Sequence, residues 1–187
     1  MNLGQTLITL GMLSLLLLSV LSANRMIMDI NESTFQAEAM TASSTIANDL
    51  LDEILTKKFD EFSDSTGTQP KSAFSPPPTT IGGTDGGVEW GPSATEKSQV
   101  GSLDSSYTGD FKSITKFNDV DDYNGYKRMV SANNISGFIA KVQVDYVNSN
   151  YPDVPLTTQN TYKRVLVSVS HPIYLTTPVT YTALVSY

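Results

Sequence analysis

The residue types that suggest chemistry are concentrated in one short acidic segment, FNDVDDYNGY, residues 117–126. Four side chains with oxygen ligands fall within six positions of it: Asp119, Asp121, Asp122 and Asn124. Such hard oxygen ligands are those that Ca²⁺ prefers. The spacing differs from that of an EF-hand loop, because Tyr123 occupies a ligand position and no glutamate closes the segment. The segment therefore predicts either a calcium site or a solvated acidic turn.

Other sites of catalysis or cofactor binding have little support in the sequence. His171 is the single histidine, and its place before Pro172 at a predicted strand end is typical of a turn residue. The glycine-rich stretch of residues 81–91 matches neither the Walker pattern nor the dinucleotide fingerprint, and predicts a flexible surface turn. The absence of cysteine excludes thiolate catalysis, cysteine-bound metals and disulfide bonds. We therefore expect no enzyme activity and no cofactor beyond the calcium considered above.

The composition describes one modest domain with an N-terminal extension. The chain has 187 residues, which is enough to bury a core of its own. Nineteen acidic residues against twelve basic ones give a net charge of −7, and the sequence has no Lys/Arg cluster that could follow a phosphate backbone. Binding to nucleic acid is therefore not expected.

Residues 1–24 form an uncharged, strongly apolar run that ends before Arg25. As a helix this run would span about 36 Å, and the hydrocarbon core of a bilayer is about 30 Å thick. An export signal fits less well, because MNLGQT lacks basic residues and Leu21 lies where a small residue is preferred before cleavage. A buried core helix is the third alternative. We predict that residues 1–24 form an apolar transmembrane helix segment.

The same helix is predicted to continue through residues 25–66. Neither glycine nor proline occurs from Met12 to Thr66, and turn residues then place its end near Ser63–Gly67. From about residue 46, apolar residues recur at spacings of three and four, so this part should be amphipathic and pack on a domain core. Before that point, small and polar residues interrupt this apolar face of the helix. An isolated helix would be marginal there, so we expect it to gain partners from neighbouring copies.

The rest of the chain divides into a long connection and a sheet. Residues 67–125 are rich in Gly, Pro, Ser and Thr and are expected to form a connecting loop. Residues 126–187 are expected to form an antiparallel sheet, since four runs alternate apolar and polar side chains. These runs are Tyr126–Ala132, Phe138–Val147, Lys163–Ser170 and Val179–Tyr187. The predicted fold is α+β: the apolar half of a long N-terminal helix protrudes, and its amphipathic half packs on three or four antiparallel strands.

The layout and the N-terminal residues resemble those of the type IV pilin superfamily. The signature of that family is a glycine, then an aromatic residue or Met, then Thr-Leu-Ile-Glu-Leu. The corresponding residues here are Gly4, Gln5, Thr6, Leu7, Ile8, Thr9 and Leu10. Thr9 stands where the family has its glutamate, and the short Met1–Leu3 segment before Gly4 carries no Lys or Arg. Further segments that look like those of minor pilins and pseudopilins are 49–61, 117–126 and 162–187.

The resemblance implies a structural subunit of an extracellular type IV pilin-like filament, held in the inner membrane before assembly. It implies an assembly or processing role for Gly4, Gln5 and Thr9. It also implies a filament-core helix surface made of Leu7, Leu10, Leu13, Leu16, Leu17, Val20 and Leu21. The expected partners are copies of the chain, the inner membrane and a pilus-type assembly machinery. Two alternatives are a minor pilin or type II secretion pseudopilin, and a signal-anchored surface binding domain that does not polymerise.

Overall fold

The structure, a computed structural model, describes residues 2–63, 66–75, 91–106 and 110–187. The chain divides into two compact units, residues 1–38 and residues 39–187, and we call the second unit the head. Helix α1, Leu3–Leu55, contributes residues to both units. In the first unit, every residue from Leu3 onward is helical. The predicted glycine-rich turn, residues 81–91, lies outside the described residues except for Gly91.

The part of α1 in the head packs on a sheet through one face. Its buried residues recur at helical spacing, which agrees with the amphipathic pattern of the sequence. They are Ala39, Ala42, Ser43, Ile46, Ala47, Leu50, Leu51 and Ile54. The buried face therefore begins at Ala39, before the predicted start at about residue 46. The apolar residues of this face share one core cluster with inward-facing residues of the sheet.

Helix α1 ends at Leu55, and the prediction that it continues to residue 66 was wrong. The chain leaves the helix because the backbone groups of Lys58 form hydrogen bonds with residues 118–120 instead of with the helix. The Lys58 N–H donates to the Asn118 carbonyl at 3.3 Å, and the Lys58 carbonyl accepts from the Val120 N–H at 3.0 Å. The residues that follow, Phe59 and Asp60, are buried. A pairing partner so distant in the sequence leaves no trace in local helix propensity.

A mixed sheet of six strands forms the other layer of the head. The strands are β1 (Asp104–Ser105), β2 (Lys127–Ala132), β3 (Ile135–Asn148), β4 (Tyr151–Pro155), β5 (Tyr162–Ser170) and β6 (Val179–Ser186). Their order is β1-β2-β3-β5-β6, and β4 pairs with β3. The four predicted strands correspond to β2, β3, β5 and β6, and their antiparallel pairing confirms the α+β fold. The sequence did not predict β1 or β4, and β1 makes the sheet mixed because it runs parallel to β2.

Residues 67–125, predicted as a connecting loop, contain short ordered elements. These are helices α2 (Ala94–Val100) and α3 (Ser113–Lys116), strand β1, and 3-10 turns at Lys71–Ala73 and Asp121–Tyr123. Ser93 and Glu96 form a capping box at the start of α2, in which each side chain accepts from the backbone N–H of the other. Phe74 and Phe117 are buried. This segment therefore contributes to the packing of the head.

A buried polar network joins the last turn of α1 to the sheet. The Glu53 carboxylate accepts hydrogen bonds from Arg128 Nη1 of β2 at 2.7 Å, from the Tyr123 hydroxyl at 2.6 Å and from Ser113 Oγ at 2.7 Å. Arg128 is 4% exposed. Burial, together with the Glu53 charge, raises the pKa of Tyr123, so its hydroxyl remains a donor. Segments far apart in the sequence thus converge on one helix carboxylate.

Replacing Glu53 should destabilise the head strongly. Glu53→Ala leaves the buried Arg128 guanidinium without its carboxylate, and breaking a buried ion pair from one side costs about 3–5 kcal/mol. Asp52→Ala is the matched control, because Asp52 is exposed on the same helix turn and such changes stay within about 0.5 kcal/mol. Urea denaturation of the full chain in detergent, followed by near-ultraviolet circular dichroism, measures both. Equal midpoints for the two variants would contradict this role of Glu53.

Candidate functional site

The first candidate site is the exposed surface of α1 in the first unit, residues 3–38, which we call the apolar helix surface. The predicted filament-core residues all belong to it, and their side chains are between 49 and 64% exposed. They are Leu7, Leu10, Leu13, Leu16, Leu17, Val20 and Leu21. A contiguous exposed apolar surface marks a site that contacts a membrane or another protein. From Leu3 to Leu21 the apolar residues surround the helix rather than forming one stripe, which is typical of a membrane-spanning or fully enclosed helix.

The apolar helix surface continues beyond Arg25. Five large hydrophobic side chains in this part are between 46 and 70% exposed: Met26, Ile27, Met28, Ile30 and Phe35. From the sequence we expected this segment to contact neighbouring copies, but we did not single out these five side chains. The signal that would have identified them is their high density directly after the uncharged run. The apolar surface is therefore longer than residues 1–24.

Helix α1 is long and apolar enough to cross a membrane, and its most apolar window has no buried residue in the structure. About 20 apolar residues suffice to cross the hydrocarbon core. At 1.5 Å per residue, the helical residues of the first unit span about 54 Å, whereas that core is about 30 Å thick. The apolar helix surface thus exceeds what a single membrane crossing needs.

The predicted assembly and processing residues lie at the start of α1. Thr9 Oγ1 lies 3.1 Å from the Gln5 carbonyl and 3.0 Å from the Thr6 carbonyl, so its hydroxyl donates back into its own helix. This bond satisfies the donor without any group from outside, which suits an apolar environment. No atom other than the helix backbone lies within 4 Å of the position that a Cβ would occupy at Gly4. The structure thus leaves space for another group to approach Gly4 closely. Thr9 is neutral and cannot form the ion pair of a glutamate.

The second candidate site, the acidic turn of residues 119–124, uses its oxygen atoms within the chain. Asp122 Oδ2 accepts from the backbone N–H groups of Asn118 at 2.8 Å and Asp119 at 3.2 Å, and Asp119 Oδ1 accepts from the Asp122 N–H at 3.1 Å. Asp121 pairs with Lys163 at 2.5 Å, and Asn124 Oδ1 accepts from the Val144 N–H at 3.2 Å. Among residues 2–63, 66–75, 91–106 and 110–187, no group of three or more His, Cys, Asp or Glu side chains is arranged to hold a metal. The structure therefore does not gather the predicted calcium ligands into a site.

Burial explains why these aspartates do not resemble calcium ligands. Burial, reinforced by the charge of Asp122, raises the pKa of Asp119 from 3.8 to about 7. Burial also raises the pKa of Asp122 to about 7, although two backbone N–H donors favour its ionised form. Burial raises the pKa of Asp121 well above its ordinary value, against the opposing charge of Lys163. Calcium needs ionised carboxylates, and this environment disfavours ionisation.

His171 packs a turn at the end of β5. Its Nδ1 accepts from the backbone N–H groups of Ile173 at 3.2 Å and Tyr174 at 3.1 Å. Because Nδ1 is an acceptor, the ring proton lies on Nε2, which donates to the Ser136 carbonyl at 3.2 Å. The ring also stacks on Tyr174, with centroids 4.9 Å apart. Both ring nitrogens are therefore engaged by the backbone, as the turn interpretation of the sequence suggested.

The third candidate site is a buried cluster around Lys163 of β5, which the sequence analysis did not identify. Lys163 is 0% exposed, and its Nζ donates to the Phe59 carbonyl at 2.7 Å, to Asp60 Oδ2 at 3.0 Å and to Asp121 Oδ1 at 2.5 Å. The ring of Phe59 lies 4.5 Å from Nζ and that of Tyr146 lies 5.1 Å away. A lysine in an alternating strand pattern is ordinarily placed on the solvent face. The available signal was that Lys163 occupies the same strand face as Val165, Val167 and Val169, which all point inward.

No family model, curated protein or solved structure matches the chain. The long apolar N-terminal helix followed by a sheet is compatible with the type IV pilin-like layout that the sequence resembles.

The acidic turn should make the stability of the head depend on pH. The folded state holds protons on Asp119 and Asp122 up to about pH 7, whereas their unfolded pKa values are near 3.8. The folded state therefore binds more protons across that interval, and the free energy of unfolding falls as the pH rises through it. Asp119→Asn should reduce this fall and stabilise the head at pH 8, by a few kcal/mol at most, since one pKa unit is about 1.4 kcal/mol.

Urea denaturation of the full chain in detergent at a series of pH values measures this effect. The control is Asp153→Asn, because Asp153 is exposed and its replacement should leave the pH dependence unchanged. If Asp119→Asn shows the same loss of stability between pH 4 and pH 7 as the parent chain, Asp119 does not carry this dependence.

Proposed function

We propose that the chain is a structural subunit of a type IV pilin-like extracellular filament, which polymerises through its N-terminal apolar helix. The observation that carries the proposal is the length of the apolar helix surface. Exposed hydrophobic side chains extend from Leu3 to Phe35, which is more than one membrane crossing requires. The excess needs an apolar partner outside the bilayer.

The energetics of the apolar helix surface favour helix-on-helix assembly. Each fully buried Leu or Ile side chain contributes about 1.5–3 kcal/mol relative to its exposure to water. In the membrane, lipid tails supply this cover to residues such as Leu13 and Leu17. Once the helix leaves the inner membrane, only an equally apolar surface replaces them, and the helices of other copies are such a surface. In this proposal, a pilus-type assembly machinery moves the subunit from membrane to filament.

The part of the apolar helix surface beyond Arg25 distinguishes a polymer subunit from an anchored domain. A solvated stalk between membrane and head would have no need of large apolar side chains, whereas this segment carries them alongside charged residues such as Asp29 and Glu32. Met28 is 70% exposed and Ile30 is 52% exposed, so this segment is costly to leave in water. Buried against neighbouring copies, the same side chains stabilise the filament. The heads would then form its outer coat, and the net negative charge of the chain would face solvent there.

A single acidic substitution beyond Arg25 should block assembly. Ile30→Asp places a carboxylate in the proposed helix contact, where burial of an unpaired charge costs several kcal/mol. Incorporation into fibres should therefore fall by at least about tenfold, which corresponds to about 1.4 kcal/mol. Ile173→Asp is the matched control, because Ile173 is 74% exposed on the head. Insertion of the chain into the membrane should be unchanged in both variants.

Cells that produce the full chain are sheared, and the released fibres are examined by electron microscopy and mass spectrometry. The parent chain and Ile173→Asp are expected in the fibres, while Ile30→Asp remains in the membrane fraction. Absence of the parent chain from every fibre would overturn the proposal. Equal incorporation of both variants would exclude Ile30 from the helix contact.

A further inference from the structure

We infer that the head carries an internal isopeptide bond, formed between Lys163 of β5 and Asp121 of the 3-10 turn. The contact that carries the inference is the Nζ of Lys163 at 2.5 Å from Asp121 Oδ1. A carbon–oxygen bond of about 1.2 Å limits the distance from Nζ to the Asp121 carboxyl carbon to about 3.7 Å. Reacting atoms in productive geometry lie about 3–3.5 Å apart. The nucleophile and its carbonyl carbon are thus brought together by the fold. This inference does not depend on the proposed filament.

The pair is held away from solvent, in an interior where separate charges are costly. Lys163 is 0% exposed and Asp121 is 2% exposed, and the Phe59 and Tyr146 rings cover the ammonium. Burying a cation and an anion costs several kcal/mol per ion, even after relaxation. A proton transfer from Nζ to Oδ1 along their hydrogen bond gives a neutral amine beside a neutral carboxylic acid. These are the forms that condense to an amide.

Asp60 lies where a general base is needed. Its Oδ2 is 3.0 Å from Lys163 Nζ. It also accepts from the Tyr146 hydroxyl at 3.1 Å and from the Ser75 N–H at 3.0 Å, while its Oδ1 accepts from the Phe62 N–H at 3.2 Å and from Ser75 Oγ at 3.2 Å. These donors fix the carboxylate in position. The cluster therefore holds two acids in different surroundings, one as reactant and one as base.

The reaction is a condensation that needs no oxidant or cofactor. The lone pair of Nζ attacks the carboxyl carbon of Asp121, a C–N bond forms, and the carbonyl oxygen takes the negative charge. Nζ then passes a proton to Asp60. Asp60 returns this proton to the Asp121 hydroxyl group, the C–O bond breaks and one water molecule leaves. The sum converts one ammonium and one carboxylate into one amide and one water, and Asp60 ends unchanged.

Peptide mapping of the full chain, purified in detergent and digested with trypsin under denaturing conditions, tests the inference. Without the bond, trypsin releases peptides 117–127 and 142–163 separately. With it, peptide 117–127 is joined to peptide 142–164, because trypsin does not cut after an acylated Lys163. The linked species is lighter than its two components by one water molecule. Fragmentation must place the bond at Asp121, and this assay does not depend on how the N-terminus is processed.

Three variants separate the bond from an ordinary buried ion pair. Lys163→Arg retains the cation but has no nucleophilic amine, so it should give only separate peptides. Asp121→Asn should give the same linked peptide as the parent chain, since ammonia leaves instead of water. Asp60→Asn retains the shape of the base but not its basicity, and linking should slow by about 100-fold or more. Circular dichroism verifies that each variant is folded.

The parent chain decides the question even if a variant fails to fold. Separate, unmodified peptides from the folded parent chain would overturn the inference and leave a buried ion pair. A link at Asp119 or Asp122, or a link that persists in Lys163→Arg, would also overturn it. A linked peptide that forms at the parent rate in Asp60→Asn would remove Asp60 from the mechanism.

Discussion

One helix backbone has to satisfy two environments, and the rest of the structure follows from that constraint. Before Ala39 the side chains of α1 are exposed and mostly apolar, and from Ala39 onward one face is buried in the head. No glycine or proline separates the two parts between Met12 and Leu55, so the helix continues without a break. An exposed helix of this kind is stabilised by lipid or by other helices. The head, in turn, must fix the position of residues 39–55 of α1 on its sheet.

The head does so with two buried nitrogen-bearing side chains near the end of α1. Arg128 reaches Glu53 in the last turn of the helix, and Lys163 reaches Asp60 just beyond it. Apolar packing alone tolerates small shifts of a helix along a sheet, whereas hydrogen-bonded polar groups in a dry interior match at one position only. The two pairs come from different strands, β2 and β5. Together they specify the register of the helix on the sheet, which burial by itself would leave less defined.

Local patterns in the sequence predicted α1 and four of the strands. Contacts between residues distant in the sequence determine the features that these patterns missed. Alternation of side chains identified four strands, because it reflects burial of one sheet face. The end of α1 was misplaced, since it depends on backbone pairing between Lys58 and residues 118–120. The partners of the predicted calcium ligands also come from distant contacts: the oxygen atoms of Asp121 and Asn124 face Lys163 and Val144, which the spacing of the acidic turn cannot reveal. The hydrophobic residues beyond Arg25 were visible in the sequence, but the prediction gave more weight to the small and polar residues among them.

The contacts of Glu53 and Asp60 also matter when the head is pulled. Within the head, α1 transmits tension to the sheet through the face that is buried from Ala39 to Ile54 and through the Glu53 carboxylate near its end. The polar part of this load falls on Arg128 of β2 and, just beyond the helix, on Lys163 of β5. The junction between helix and sheet thus distributes tension over an apolar face and two different strands.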